Sequence, residues 1–163
     1  MARALIVGCG CRGRELGREL AGRGWQVRGT SRSVEGLAAI ESAGAEAAQA
    51  DPDRPGTVLD LVGDVTVAVW LLGSATGTEE QLEAIHDPRL ERLLERLVDT
   101  PVRAFAYEPV GSVPAPVLAR GREIVAQASE RWRIPVALLT DEAGEGWAAA
   151  SADRVEAALA GGA

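Results

Sequence analysis

The chain switches repeatedly between short apolar runs and longer segments with helical spacing. Residues 4–7 form an uninterrupted apolar run that ends at a glycine, which is typical of a buried parallel strand. The next segment, residues 14–23, carries Leu16 and Leu20 on one face and therefore predicts a helix. Residues 26–31 predict a second strand, which completes a strand–helix–strand unit.

The same alternation continues along the rest of the chain. The strongest strand signal is at residues 65–72, and a capping-box sequence at Thr78 begins a helix. Asp87 is expected to cap the next helix, with Pro88 at its first position. The remaining predictions are strands at 45–50, 102–107 and 135–139, and helices at 33–41, 57–61, 117–132 and 152–160, of which the first is capped by Ser33 and the last by Ser151.

The helix after Pro88 has the clearest amphipathic pattern. Its apolar positions recur at helical spacing and are expected to face the core: Leu90, Leu93, Leu94, Leu97 and Val98. In some folds of this kind the same helix forms a dimer interface, so a homodimer is a further expectation.

Strands that alternate with helices predict an α/β fold, a parallel sheet with helices on both faces. Right-handed crossovers favour a doubly wound Rossmann arrangement of about six strands in the order 3-2-1-4-5-6. A length of 163 residues suits one domain, and no linker or repeat is evident. We therefore expect residues 1–163 to form a single domain without a separate substrate domain.

Composition narrows the classes of partner. The net charge is −7, and all 17 basic residues are arginines. Such an acidic chain lacks the basic surface expected of a protein that binds nucleic acid or an anionic membrane. No membrane span or secretory signal is evident, so a cytoplasmic location is expected. The two cysteines have no histidines near them, and no metal site is predicted.

The hexapeptide GCGCRG contains the pattern GxGxxG between the first predicted strand and helix. In that context Gly8 allows a tight turn, Gly10 the close approach of a pyrophosphate, and Gly13 close helix–strand packing. The pyrophosphate would lie on amides at the helix N-terminus, including that of Cys11. Alternatively, the segment is a glycine-rich turn without a ligand. A helix N-terminus also lowers the pKa of a thiol, which makes Cys9 a minor candidate redox sensor.

The second predicted strand ends without the acidic residue that would bind the ribose 2′-hydroxyl of NAD. Ser31 and Arg32 stand there and can bind a 2′-phosphate, with Arg12 as a second cation. This pattern favours NADP as the cofactor and leaves NAD as the alternative. Arg32 could also be simply one solvated arginine among 17.

Two further strand ends fit a cofactor cleft. Asp51 follows the third strand and could accept a hydrogen bond from an adenine amino group. Leu72, Gly73 and Ser74 follow the fourth strand, beside the switch point where a ribose would lie. The alternatives are an Asp-Pro turn and an ordinary loop. His86 precedes a helix break and is expected at the surface.

The order of GCGCRG, GTSR, a strand ending at Asp51 and WLLGSA resembles the short-chain dehydrogenase/reductase superfamily. The similarity is greatest to its extended and atypical branch, the epimerase/dehydratase-like and NmrA-like NAD(P)-binding proteins, and covers residues 2–140. The resemblance implies an NAD(P)-binding Rossmann domain.

The catalytic pattern of that superfamily is incomplete here. Its enzymes carry a Ser or Thr after the fifth strand and a Tyr-x-x-x-Lys on the next helix, where the Tyr protonates a carbonyl and the Lys lowers the Tyr pKa. This chain has no Lys; Glu108 stands about where the Ser or Thr would be, and Ser112 about where the Tyr would follow. Tyr107 or Glu108 could act as a substitute acid, and Tyr107 could equally be a buried strand residue.

Two functions therefore stay open. The first is a non-catalytic dinucleotide-binding or redox-sensing module that pairs with a small molecule or a protein partner. The second is an NADP-dependent oxidoreductase or epimerase-like enzyme with a non-standard acid. Extended family members continue into a substrate-binding domain, for which only residues 141–163 remain in this sequence.

Overall fold

The apolar runs become the six strands of one parallel sheet. The computed structural model describes residues 2–161, and its strands are β1 (Arg3–Val7), β2 (Gln26–Ser31), β3 (Glu46–Gln49), β4 (Val67–Trp70), β5 (Ala104–Tyr107) and β6 (Val136–Leu138). Their order is β3-β2-β1-β4-β5-β6, and every neighbouring pair is parallel. The predicted doubly wound α/β fold is confirmed.

Seven helices connect or follow the strands in the described residues. They are α1 (Cys11–Gly22), α2 (Val34–Ser42), α3 (Pro55–Leu59), α4 (Glu79–His86), α5 (Pro88–Leu97), α6 (Ala115–Trp132) and α7 (Trp147–Gly161). Two of the predicted caps are confirmed: the Ser33 hydroxyl accepts a hydrogen bond from the Gly36 amide, and Thr78 forms a complete capping box with Gln81. Among residues 2–161, no helix is long and apolar enough to cross a membrane.

Alternate residues of each strand build two separate halves of the core, because successive side chains point to opposite faces of a sheet. On one face Ile6 packs with α1, α2 and α7 through Leu16, Ile40 and Val155. On the other face the apolar side of α5 packs with α3, α4 and α6 around Leu5. Both faces of the sheet are therefore covered, so a ligand can reach the sheet only at an edge or at the strand ends.

Three expectations about helix ends are wrong, one of them in part. Val98 lies outside α5 and is 48% exposed, so the buried stripe stops at Leu97. Asp87 is the N-cap residue of α5 and Pro88 its first residue, as predicted, but the Asp87 carboxylate makes no capping hydrogen bond in the described residues and accepts one from Arg120 Nε at 3.2 Å. Ser151 is fully buried inside α7, which begins four residues earlier at a buried Trp147. The alanines after this tryptophan favour a helix, and its burial anchors the first turn.

Candidate functional site

The glycine motif forms the turn between β1 and α1. Gly8 has a φ of +83°, and a Cβ there would lie 2.5 Å from the carbonyl oxygen of Leu71, so only glycine fits. At Gly13 a Cβ would come within 3.3 Å of Ile6, which is tight for helix–strand packing. Both glycines therefore have the packing roles that the motif predicts.

Gly10 differs from its two partners because it faces open space. Apart from its chain neighbours, no atom of the described residues lies within 4 Å of the position that a Cβ would take, and Gly10 lines a cleft at the N-terminus of α1. The first helical hydrogen bond runs from the Arg14 amide to the Gly10 carbonyl at 2.9 Å. The amides of the first turn before it have no intrahelical acceptor, so they are available to an anion. This position has the room and the donors that a pyrophosphate needs.

The cleft has a volume of about 550 Å³, within the usual range for ligand sites, and follows the carboxyl ends of β1 to β4. It gathers ten of the residues proposed from the sequence: Gly8, Gly10, Cys11, Arg12, Gly13, Ser31, Arg32, Asp51, Leu72 and Ser74. Gly73 is outside the lining, because its buried amide donates to Glu108 Oε1 at 3.0 Å. Sequence reasoning missed the α4 side of the cleft, which includes Gln81 and Ile85.

The end of β2 supplies the polar corner of the cleft. The Ser31 hydroxyl accepts a hydrogen bond from the Ser33 amide at 3.2 Å, which holds its oxygen at the start of α2. A Cβ at Gly36 would overlap this hydroxyl, so the glycine is what gives it room. Arg32 is exposed at the same corner, and Arg14 lines the cleft from α1. In residues 2–161 neither arginine forms an ion pair. Arg14 was not singled out from the sequence, although it directly follows the glycine motif.

Asp51 follows β3 and lines the cleft, as expected from the sequence. Its Oδ1 accepts a hydrogen bond from the Asp53 amide at 2.9 Å, and its own amide donates to Thr57 Oγ1 at 2.9 Å. These two bonds order the turn and orient the carboxylate, which lines the cleft. Within the described residues Oδ2 makes no hydrogen bond, so it can accept one from an adenine amino group.

Arg12 is paired with a carboxylate and is therefore not the free second cation expected for a 2′-phosphate. Its Nη1 lies 2.5 Å from Glu108 Oε2, and its Nη2 lies 3.1 Å from Oε1 and 3.3 Å from Ser74 Oγ. Its guanidinium carbon also lies 5.6 Å from the centre of the Trp147 ring. We call these four residues, Arg12, Ser74, Glu108 and Trp147, the Arg12 cluster. They join α1 to the ends of β4 and β5 and to α7.

Glu108 is enclosed rather than presented to the cleft. Its side chain is fully buried, and burial raises the pKa of its carboxyl, while Arg12 and the Gly73 amide act in the opposite direction. Ser112 is exposed on the following loop, where its amide donates to Ser74 Oγ at 3.2 Å. The structure therefore brings neither of these weak catalytic candidates into the cleft.

Tyr107, the third candidate, is a buried core residue. Its hydroxyl lies 2.6 Å from His86 Nδ1, and His86 Nε2 lies 3.0 Å from the Leu72 carbonyl oxygen. Because a carbonyl only accepts, Nε2 carries the proton and Nδ1 accepts from the tyrosine. Burial lowers the pKa of His86 and raises that of Tyr107. The surface position expected for His86 is wrong, because α4 ends against the sheet and its last side chain finds partners there.

Both cysteines are free thiols in the described residues, with Cys9 buried and Cys11 exposed. Cys9 is buried, and burial raises its pKa to about 11, which the charge of Arg14 only partly offsets. Its thiol fills space beside Gly29, where a Cβ would lie 2.6 Å from Sγ. Burial and the raised pKa argue against the redox-sensor role considered for Cys9, since a protonated buried thiol is a poor nucleophile.

No protein-family model and no curated protein sequence matches the chain, but solved structures match its fold. The triphenylmethane reductase of Citrobacter sp. in complex with NADP(H) has 17% sequence identity and a TM-score of 0.65, over 90% of this chain and 51% of the reductase. A UDP-glucuronic acid 4-epimerase from Bacillus cereus in complex with NAD has 14% identity and a TM-score of 0.62, over 83% of this chain and 55% of the epimerase. A Bacillus halodurans protein assigned as an NAD-dependent epimerase/dehydratase has 16% identity and a TM-score of 0.70, over 90% and 75%.

These similarities concern the fold. They confirm that the chain has the Rossmann fold that the resemblance implies. The chain spans about half the length of the reductase and of the UDP-glucuronic acid epimerase.

Proposed function

We propose that this protein binds a nicotinamide adenine dinucleotide in the cleft along β1 to β4, with NADP(H) preferred to NAD(H). The observation that carries the proposal is the open space over Gly10, at the N-terminus of α1. Backbone amides and the helix dipole favour an anion there. Two fold neighbours are solved with NADP(H) and with NAD, which supports the same ligand class.

Three parts of the ligand contact the cleft: the pyrophosphate, the adenine and the adenosine ribose. The pyrophosphate lies on the amides that follow Gly10, and the adenine amino group donates to Asp51. The adenosine ribose lies at the end of β2, beside Ser31. Gly10, Ser31 and Asp51 all line the cleft, and together these positions account for the binding of the adenosine half of the dinucleotide.

The preference for NADP rests on charge at the end of β2. Arg32 follows Ser31 there, Arg14 lines the same cleft, and neither is neutralised by an acidic partner in the described residues. A 2′-phosphate can accept charge-assisted hydrogen bonds from a guanidinium, whereas the 2′-hydroxyl of NAD gains nothing from a cation.

We further propose that the protein acts as a binding module rather than as a reductase. The chain has no Lys for a Tyr–Lys pair. Tyr107 and Glu108 are buried, and neither they nor Ser112 line the cleft. A general acid must reach the reacting carbonyl, and no candidate does so here. The reductase and epimerase neighbours support the alternative, an NADP-dependent enzyme with another acid.

The decisive experiment uses Gly10→Val. Gly10 has a negative φ of −82° and open space at its Cβ position, so a side chain can be accommodated there, but that of valine would occupy the pyrophosphate space. We expect calorimetry to show at least a hundredfold loss of NADP affinity with an unchanged circular dichroism spectrum. Gly63→Val is the matched control, because Gly63 is exposed, has open space at its Cβ position and lies outside the cleft. Equal NADP affinity in both variants would refute the proposed function.

A further inference from the structure

The cleft ends abruptly at β4. Within residues 2–161, its lining includes residues from the ends of β1, β2, β3 and β4 and from α4, but none from β5, β6 or α7. A doubly wound sheet has two mononucleotide-binding halves, and a dinucleotide lies across both. In this protein only the half made by β1, β2 and β3, with the adjoining end of β4, is open.

The second half is closed by the protein's own backbone. The loop after β5 lies directly on the end of β4: the Val113 amide donates to the Gly73 carbonyl at 2.9 Å. A Cβ at Gly73 would overlap the Val110 carbonyl oxygen, and one at Gly111 would overlap the Gly73 carbonyl oxygen. These two glycines allow a backbone contact that leaves no space for a ligand between the end of β4 and the loop.

The Arg12 cluster closes the remaining gap between β1 and β5. Arg12 forms an ion pair with the buried Glu108 carboxylate, donates a hydrogen bond to its Oε1 and lies over the Trp147 ring, and it lines the cleft on this side. To open the cleft on this side, the Glu108 carboxylate would have to lose its cation while it remains buried. Breaking a buried ion pair in this way is strongly unfavourable.

We infer that this protein recognises the adenosine diphosphate end of its ligand alone. A compound that carries this end without a nicotinamide therefore fits the cleft as well as the full dinucleotide does. The inference rests on the proposed function and narrows it: the nicotinamide mononucleotide end stays outside the cleft, against the Arg12 cluster, and adds little affinity.

The test compares matched ligand pairs by calorimetry on the native protein. The pairs are NADP with 2′-phospho-ADP-ribose, and NAD with ADP-ribose, so the result does not depend on the 2′-phosphate preference. Nicotinamide mononucleotide is titrated separately. We expect less than a fivefold difference in Kd within each pair, and no binding of the mononucleotide.

Each other outcome has a definite meaning. If the dinucleotide of the better-binding pair binds fivefold or more tightly than its partner, the inference is wrong, while the proposed dinucleotide site stands. If no adenosine ligand binds, the proposed function fails, and the inference fails with it. Binding of nicotinamide mononucleotide alone would also overturn the inference, because it would place a site in the closed half.

A second experiment tests whether the Arg12 cluster is the barrier. The double variant Arg12→Ala/Glu108→Gln removes the guanidinium and the buried charge together, so no uncompensated carboxylate remains. We expect NADP to gain at least fivefold over 2′-phospho-ADP-ribose in this variant compared with the native protein. The folded state is checked by circular dichroism and by a cooperative thermal unfolding transition. An unchanged ratio in a folded variant would overturn the role given to the cluster.

Discussion

Two arginines near the glycine motif show how strongly environment decides the role of a residue. Arg12 is neutralised by a buried carboxylate that lies 96 positions away in the sequence. Arg32 stays exposed at the end of β2. The position of Arg32 beside the cleft could be predicted, because it directly follows a strand end, while its contact with a 2′-phosphate stays a prediction. The pairing of Arg12 with Glu108 could not be predicted, because the two residues are distant in sequence and nothing in the local sequence indicates that Glu108 is buried.

Replacing Arg32 by alanine tests the 2′-phosphate contact. A charge-assisted hydrogen bond contributes about 1.5–3 kcal/mol, which is roughly tenfold to a hundredfold in affinity. We expect Arg32→Ala to weaken NADP by about that factor and to leave NAD unchanged, as measured by calorimetry at constant ionic strength. Arg92→Ala, an exposed arginine on α5 and outside the cleft, controls for net charge. An equal loss for NADP and NAD would assign Arg32 a different function.

At the level of elements, features that depend on neighbouring residues, such as helix caps, were predicted well, whereas features that depend on contacts between distant segments were not. Helix caps and apolar periodicity depend on residues within a few positions of one another, and α2 and α4 begin where Ser33 and Thr78 predict. The burial of His86 depends instead on β4 and β5, which lie on either side of it in the sequence. A histidine at a helix end can lie at the protein surface or in the core, and only the packing of α4 against the sheet determines which position His86 takes.

The His86–Tyr107 contact predicts a pH dependence of stability. Burial lowers the pKa of His86 in the folded protein, so below about pH 6.5 the unfolded chain binds a proton that the folded chain does not. The free energy of unfolding should therefore fall as the pH drops from about 6.5, by at most about 1.4 kcal/mol per pH unit. Urea unfolding at pH 7.5, 6.5 and 5.5 measures this slope.

His86→Asn is the control, because it removes the only histidine of the chain. Burial raises the pKa of Glu108, which has the opposite sign: the folded carboxyl keeps its proton to higher pH, so its contribution falls as the pH rises above its unfolded value. Glu108 is present in both proteins, so its contribution cancels in the comparison. The same pH slope in both would show that His86 is not the titrating group.

At the level of the whole molecule, the alternation of strands and helices and one glycine motif were enough to predict the fold and the open half of the site. Both signals are local, and the right-handed crossover rule converts them into a strand order. The closed half could not be predicted, because it depends on contacts among α1, the loop after β5 and α7. Trp147, which lies beside Arg12, belongs to a helix whose start the sequence placed too late.

The closed half predicts the absence of carbonyl reduction. General acid catalysis contributes about 10²–10⁴-fold, and without it a bound NADPH leaves only a residual rate. We expect NADPH consumption to stay at the background level with a panel of aldehydes and ketones, in the native protein and in Tyr107→Phe and Glu108→Gln. Binding of NADPH is confirmed by calorimetry on the same samples, and a carbonyl reductase serves as the positive control for the assay. Turnover by the native protein that is lost in only one variant would identify the acid and replace the binding module by an enzyme. Turnover that neither variant affects would also make the protein an enzyme, with its acid outside the β5 end.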